Sequence, residues 1–310
     1  MAGRTFRIGT RGSPLALLQA HETRDRLIAA HGLHERDFEI VVIKTSGDRI
    51  LDRPLAEVGG KGLFTKEIEE ALAEGAIDLA VHSMKDVATV LPDGLVIPCV
   101  LPREDVRDAF LSLKAARLAD LPAGAVVGTA SLRRQAQVRR LRPDLRVAVF
   151  RGNVQTRLRK LGEGEADATL LAVAGLKRLG MLDRASSIIE PDEMLPAVAQ
   201  GAIGIEIRAD DGELDALLAA IADARTATEL AAERAFLARL DGSCRTPIAG
   251  LARLEGGRLA FTGMILSPDG SSSHEITLDG GSADAARLGD EAARTLLERA
   301  GQDFLAGHRG

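Results

Sequence analysis

From residue 7 to residue 178 the chain repeats one pattern: a short apolar run, a polar or glycine-bearing turn, then a helix-forming stretch. That alternation constrains the fold more than any other feature, because strands alternating with helices build parallel sheets covered on both faces. Arg7-Ile8-Gly9-Thr10 runs into Arg11-Gly12-Ser13-Pro14. Ser13 as N-cap and Pro14 at the first helical position predict a helix there, with an apolar face (Leu17, Leu18, Ala20, Leu27, Ile28) lasting to about Gly32. Ile40-Val41-Val42-Ile43 then delivers Lys44-Thr45-Ser46-Gly47-Asp48, and the run Ala76–Val81 delivers His82-Ser83-Met84-Lys85-Asp86.

A second unit follows the same plan. Ala125–Gly128 leads to Thr129-Ala130-Ser131 and a helix opening with Arg133 and Arg134. Val147–Phe150 leads to Arg151-Gly152-Asn153 and a helix carrying Arg157, and Ala168–Val173 leads through Gly175 to Arg178. Pro196–Ile207, apolar and punctuated by glycine, is predicted to be a crossing strand that returns the chain to the first unit, and Asp210-Asp211-Gly212 reads as a linker turn. Two α/β lobes joined by such crossings form a hinged cleft. The last part differs. Thr226-Ala227-Thr228-Glu229 has the form of a capping box opening an Ala-rich helix to about Leu240. Strands are predicted near Ile248–Leu254, Leu259–Leu266 and Ser273–Leu278, and a closing helix from about Ala283 to Ala300 with Ser282 as its N-cap. Antiparallel strands with helices to one side make a small α+β domain.

Polar residues at the carboxyl ends of strands in an open α/β sheet face the ligand crevice. If the chain stays extended through His82–Asp86, then His82, Met84 and Asp86 share one side and Lys85 takes the other. Asp86 is then a carboxylate in a cleft with cations near by; the plainer reading is a polar strand end that caps the sheet. Gly59-Gly60-Lys61-Gly62-Leu63-Phe64-Thr65 is a glycine-rich loop before a helix from about Lys66 to Glu74. Such a loop lets backbone amides approach an anion, although its spacing is not that of the nucleotide P-loop.

Charge narrows the ligand. The chain has a net charge of −5, yet between Ser131 and Lys160 nine Arg and one Lys face a single acid, Asp144. Arginine forks bind carboxylate or phosphate bidentately, so this excess suits a small polyanion. Nucleic acid fits poorly, because without Trp or Tyr and at a pI near 5.8 the chain offers no stacking platform. No apolar run is long enough to span a membrane, no signal peptide is recognised, and two cysteines indicate no disulfide framework, so a cytoplasmic protein is expected. Cys99, in the apolar segment Leu95–Leu101, reads as buried and inert. Cys244 sits in a glycine-containing turn beside Arg245, surroundings that favour thiolate, and it could serve as nucleophile, covalent anchor or plain structural residue. No metal site is expected, since no second cysteine or histidine lies at ligand spacing from it. To this point a bilobal anion-binding protein without catalysis would satisfy every observation.

The segments GTRGSPLALLQA, KTSGDRI, GGKGLFTKEIE, DLAVHSMKDV, REDVRDAF, VGTASLRRQAQ, RGNVQTRLRKL, LAVAGLKRLG, LPAVAQGAIGIE and ERAFLARLDGSCRTPI, in this order over roughly residues 7 to 250, resemble the porphobilinogen deaminase (hydroxymethylbilane synthase) family. The chain departs from the family's pattern at Ser243, where glycine is commoner, and at Ala88, where proline is frequent. The resemblance implies two periplasmic-binding-protein-like lobes around a cleft, residues 1–101 with 198–221 and residues 102–197, and a C-terminal domain over 222–310. It implies a monomeric, cytoplasmic enzyme that joins four porphobilinogen units head to tail, with loss of ammonia, into linear hydroxymethylbilane. It also implies a dipyrromethane cofactor made from the substrate and held to Cys244 by a thioether, with Lys85, Ser131, Arg133 and Arg134 around it. Arg11, Ser13, Lys61, Phe64, Arg151, Arg157 and Arg178 match substrate-binding positions, Phe64 with a ring that could stack on a pyrrole. Asp86 matches the catalytic aspartate, facing pyrrole N–H groups and stabilising positive charge as ammonia leaves, while His82 is expected to be structural.

Overall fold

The first apolar run is strand β1 (Phe6–Arg11). Ser13 caps the next helix, Pro14–His31, its hydroxyl accepting from the Ala16 amide at 3.2 Å, and Gly32 ends that helix at φ 65°. The computed structural model describes residues 4–49, 62–240, 247–301 and 304. Among these, residues 4–49, 62–104 and 201–227 make one unit, and residues 105–200, 228–240, 247–301 and 304 the other.

In the first unit β1 pairs in parallel with β2 (Phe38–Ile43) and β3 (Leu79–Ser83). Strand β10 (Ile203–Arg208) lies antiparallel between β3 and β4 (Leu95–Val100), giving the order β2-β1-β3-β10-β4. In the second unit β6 (Val126–Gly128) pairs in parallel with β7 (Arg146–Ala148) and β8 (Ala168–Ala172). Strand β5 (Asp108–Ser112) lies antiparallel between β8 and β9 (Ser187–Ile189), giving β7-β6-β8-β5-β9. The two orders are one plan used twice, each with its antiparallel strand in fourth place.

Both faces of both sheets are buried, as the continuous apolar runs require. Leu79 and Val81 enter one core with Ile8, Leu27 and Ile205, while Ala80 between them enters another with Ile68 and Leu72 from helix Lys66–Ala73. Phe110 and Leu170 face one side of the second sheet with Val127, and Ala109, Leu111 and Leu171 the other. Beyond helix Ala224–Arg239, strands β11 (Ile248–Glu255), β12 (Arg258–Leu266) and β13 (Ser273–Gly281) form an antiparallel meander closed by helix Ala285–Ala300. Phe236 packs on Phe261 with ring centroids 5.0 Å apart. The expected class, two α/β lobes plus a small α+β domain, is the observed one.

Several local expectations change. The chain does not stay extended through His82–Asp86: β3 ends at Ser83 and Met84–Asp86 is a 3-10 turn. The shared side expected for His82, Met84 and Asp86 therefore does not form. Met84 instead donates its N–H to Ala202 O at 3.0 Å and buries its side chain. The capping box at Thr226 is displaced, because Asp223 caps the helix one turn earlier, accepting from the Thr226 amide at 2.7 Å. Glu229 then accepts from the Leu254 amide of β11 rather than closing a box. Asp210-Asp211-Gly212 is no linker: Asp211 caps helix Gly212–Ala219. Ser282 opens a 3-10 turn and Asp284 precedes the closing helix. Strands β5 and β9 had no sequence signal of their own; β5 opens on a buried aspartate and β9 is three residues long.

Candidate functional site

The chain leaves β1 for β2 on one side and returns to β3 on the other, so the carboxyl ends of β1 and β3 flank a topological switch point. Arg11 ends β1, and the turn Met84–Asp86 follows β3. Arg11 Nη1 stands 3.6 Å from Asp86 Oδ2, both side chains being about a quarter exposed. The same guanidinium grips Asp48, with Nε 3.1 Å from Oδ2 and Nη2 hydrogen-bonded to Oδ1, and lies 4.2 Å from the centre of the Phe64 ring. Burial disfavours the Arg11 charge, but its hydrogen bonds to Asp48 and the fields of Asp86 and Asp48 outweigh it and hold the guanidinium above its ordinary value. Asp48 shows the mirror effect: burial pushes its carboxyl up, and Arg11 with Thr45 pulls it below the ordinary range. Phe64 reaches Arg11 because residue 47 is glycine, where a Cβ would fall 2.3 Å from the ring. Gln19 and Ser83 hydrogen-bond through their side chains at 2.9 Å, fixing the residue before the turn. Lys85 is exposed on the turn itself.

The second unit places its arginines differently. Ser131 caps helix Leu132–Leu141 through the Arg134 amide. Arg133 and Arg134, in its first turn, are buried and converge on Asp108 at the start of β5, each through an Nη2 at 2.7 Å. Gln200 adds a third donor to Asp108 at 2.9 Å, and the other Nη groups reach Leu195 O at 2.8 Å and Leu170 O at 2.9 Å. Burial alone would raise the Asp108 carboxyl, but the two guanidinium groups hold it far below the usual carboxylate range. Burial lowers Arg133 from its ordinary value despite the Asp108 charge. Arg151 is buried; Arg157, on helix Val154–Gly162, donates Nε–H to Gly152 O at 2.9 Å; Arg178 ends helix Val173–Arg178. Lys61 and Cys244 lie outside the described residues.

A family model described as porphobilinogen deaminase, dipyromethane cofactor binding domain, matches residues 6–216, and one described as porphobilinogen deaminase, C-terminal domain, matches residues 227–298. The chain belongs to the porphobilinogen deaminase family. Among curated members, the porphobilinogen deaminase of Nitrobacter hamburgensis is 65% identical over 298 residues, covering 96% of this chain and 94% of that protein. The one from Paracoccus denitrificans is 64% identical over 300 residues, covering 97% and 96%. Among solved structures, a periplasmic substrate-binding protein of an ABC transporter from Coxiella burnetii aligns with a TM-score of 0.44 and 15% identity, covering 72% of this chain and 94% of that one.

The residues present suit the cofactor named in the family description. Two guanidinium groups against one carboxylate leave surplus positive charge at Asp108, and Arg133 Nε and Arg134 Nε are buried without a hydrogen-bond partner among the described residues. Donors of that kind match a group bearing acetate and propionate arms. Four residues that shape these clusters were not singled out from the sequence: Asp48, Gln19, Asp108 and Gln200. Each lies in one of the family-like segments, but its role depends on a partner 25 or more positions away.

Proposed function

We propose that the chain is a working porphobilinogen deaminase: it joins four porphobilinogen units head to tail, with loss of ammonia, to give hydroxymethylbilane. The observation that carries the site assignment is Asp86, a partly exposed carboxylate held beside Arg11 at the switch point of the first unit. A carboxylate fixed there stabilises the positive charge that develops on a substrate pyrrole as ammonia departs, and it accepts hydrogen bonds from pyrrole N–H groups. Arg11, Ser13, Arg151, Arg157 and Arg178 bind the acetate and propionate arms of the substrate, with Phe64 stacking on a ring and Lys61 contributing a cation. Dipyrromethane, bound as a thioether, supplies the free pyrrole α-carbon from which the product grows. Cys244 is its anchor, and Lys85, Ser131, Arg133 and Arg134 hold its carboxylates. The protein acts as a cytoplasmic monomer.

The test is direct. Intact mass of the denatured chain is expected to exceed the sequence mass by a two-pyrrole adduct, and incubation with porphobilinogen is expected to release ammonia and form hydroxymethylbilane. A chain at its bare mass that releases no ammonia would falsify this reading and leave a bilobal anion binder.

A further inference from the structure

We propose that Glu206 is a positioning residue for Asp86, acting through His82; the inference rests on the assignment of Asp86 as the catalytic carboxylate. His82 and Glu206 are both buried, and His82 Nε2 lies 3.0 Å from Glu206 Oε2. The pairing follows from the sheet. Strand β10 runs antiparallel to β3 with Gly204 opposite His82 and Glu206 opposite Ala80, so the two side chains leave the same face two residues apart. Glycine at 204 leaves room on that face, and Met84 fills it: a Cβ at 204 would fall 2.1 Å from Met84 Sδ. The Met84 amide also bonds Ala202 O at 3.0 Å. The turn Met84–Asp86 has no side-chain cap of its own. It is therefore clamped to β10 at two points, Met84 within the turn and His82 on the strand just before it.

Stability alone does not account for the Glu206 carboxylate. Its Oε1 is buried without a hydrogen-bond partner among the described residues, and so is Oε1 of Glu69, from helix Lys66–Ala73. Burial pushes the Glu69 carboxyl above its ordinary range; the neighbouring Thr65 side chain opposes this and the Glu206 charge adds to it. Two buried carboxyl groups, each with an oxygen that lacks a partner among the described residues, are less favourable than apolar side chains of similar volume. What Glu206 provides in return is an oriented hydrogen bond that fixes the imidazole, and with it the register of the strand end carrying Asp86. Misplacing a reacting group by about 1 Å can cost about a hundredfold in rate, so a pin at this point acts on turnover rather than on substrate affinity.

Glu206→Gln, His82→Gln, the double variant and Asp86→Asn are made in the full chain and assayed as loaded enzyme with porphobilinogen. Each of the first two is expected to lower kcat about tenfold, with KM within about twofold of wild type and with the melting temperature and two-pyrrole mass adduct retained. The double variant is expected to fall no further than either single one, since both remove the same pin. Additive losses in the double variant, or wild-type kcat in either folded single variant, overturn the proposal. If Glu206→Gln does not fold, His82→Gln decides by the same kcat criterion. Near-normal turnover in Asp86→Asn overturns the catalytic reading underneath, whereas an inactive Asp86→Asn beside a wild-type Glu206→Gln overturns the positioning role alone.

Discussion

Arg11 Nη1 lies 3.6 Å from Asp86 Oδ2, close enough for a strong field and too far for a hydrogen bond, because Asp48 and the Phe64 ring hold the guanidinium back. The Asp86 carboxylate thus stands beside a cation, the setting in which the proposed function has it accept N–H donors from substrate. Asp86→Asn keeps the shape and removes the charge, and is expected to lower kcat by about a hundredfold or more with an unchanged circular dichroism spectrum. Single-turnover rates with porphobilinogen check this; a variant within a few-fold of wild type removes Asp86 from the chemistry.

Asp108 carries the electrostatic balance of the second unit. Removing its charge leaves Arg133 and Arg134 facing each other in a buried site, and Asp108→Asn is expected to cost about 3 to 5 kcal/mol in denaturant unfolding. The pH dependence has a definite sign. The folded-state carboxyl lies below its ordinary value, so its stabilisation is complete above the ordinary carboxylate range and is lost as pH falls below about 4. The variant should accordingly show a shallower acid limb than wild type in unfolding measured from pH 7 downward. Parallel acid limbs would mean that Asp108 does not report on folding.

The two cysteines are expected to behave oppositely. Cys99 is fully buried on β4, and burial pushes its thiol up to about 12, leaving almost no thiolate at neutral pH. Iodoacetamide at pH 8 should leave Cys99 unmodified in the native chain, read by peptide mapping. Cys244→Ser, by contrast, should abolish the two-pyrrole adduct; an adduct that persists in this variant places the anchor elsewhere.

Gly204 tests the clamp on the turn that carries Asp86 from the backbone side. In Gly204→Ala the new methyl meets Met84 Sδ at 2.1 Å with Ile97 close behind at 3.3 Å, so Met84 must move. A loss of about 1 to 3 kcal/mol is expected from overpacking, together with a lower kcat as the turn shifts. Unchanged melting and turnover would show that Met84 accommodates the methyl without disturbing Asp86.

Much of this protein was legible from local chemistry. Ser13-Pro14 marked a helix start and apolar runs marked the parallel strands, because caps and periodicity act over a few residues. The segments around Asp86 and Cys244 were enough to point to the family. What the sequence could not supply was partnership across distance. Strand β5 has no apolar periodicity to announce it, since its first residue is an aspartate that two arginines 25 and 26 positions later make stable to bury. Arg133 and Arg134 read as cations of an anion crevice, and only the fold shows both buried against Asp108. His82 looked like a polar strand end, and only the antiparallel return of β10, 124 positions on, sets Glu206 against it. Asp86 itself was found on a turn rather than an extended strand, because the Met84 amide found its acceptor on Ala202. Local propensity decided which residues form elements; the pairing of distant strands decided which charges could be buried against a partner.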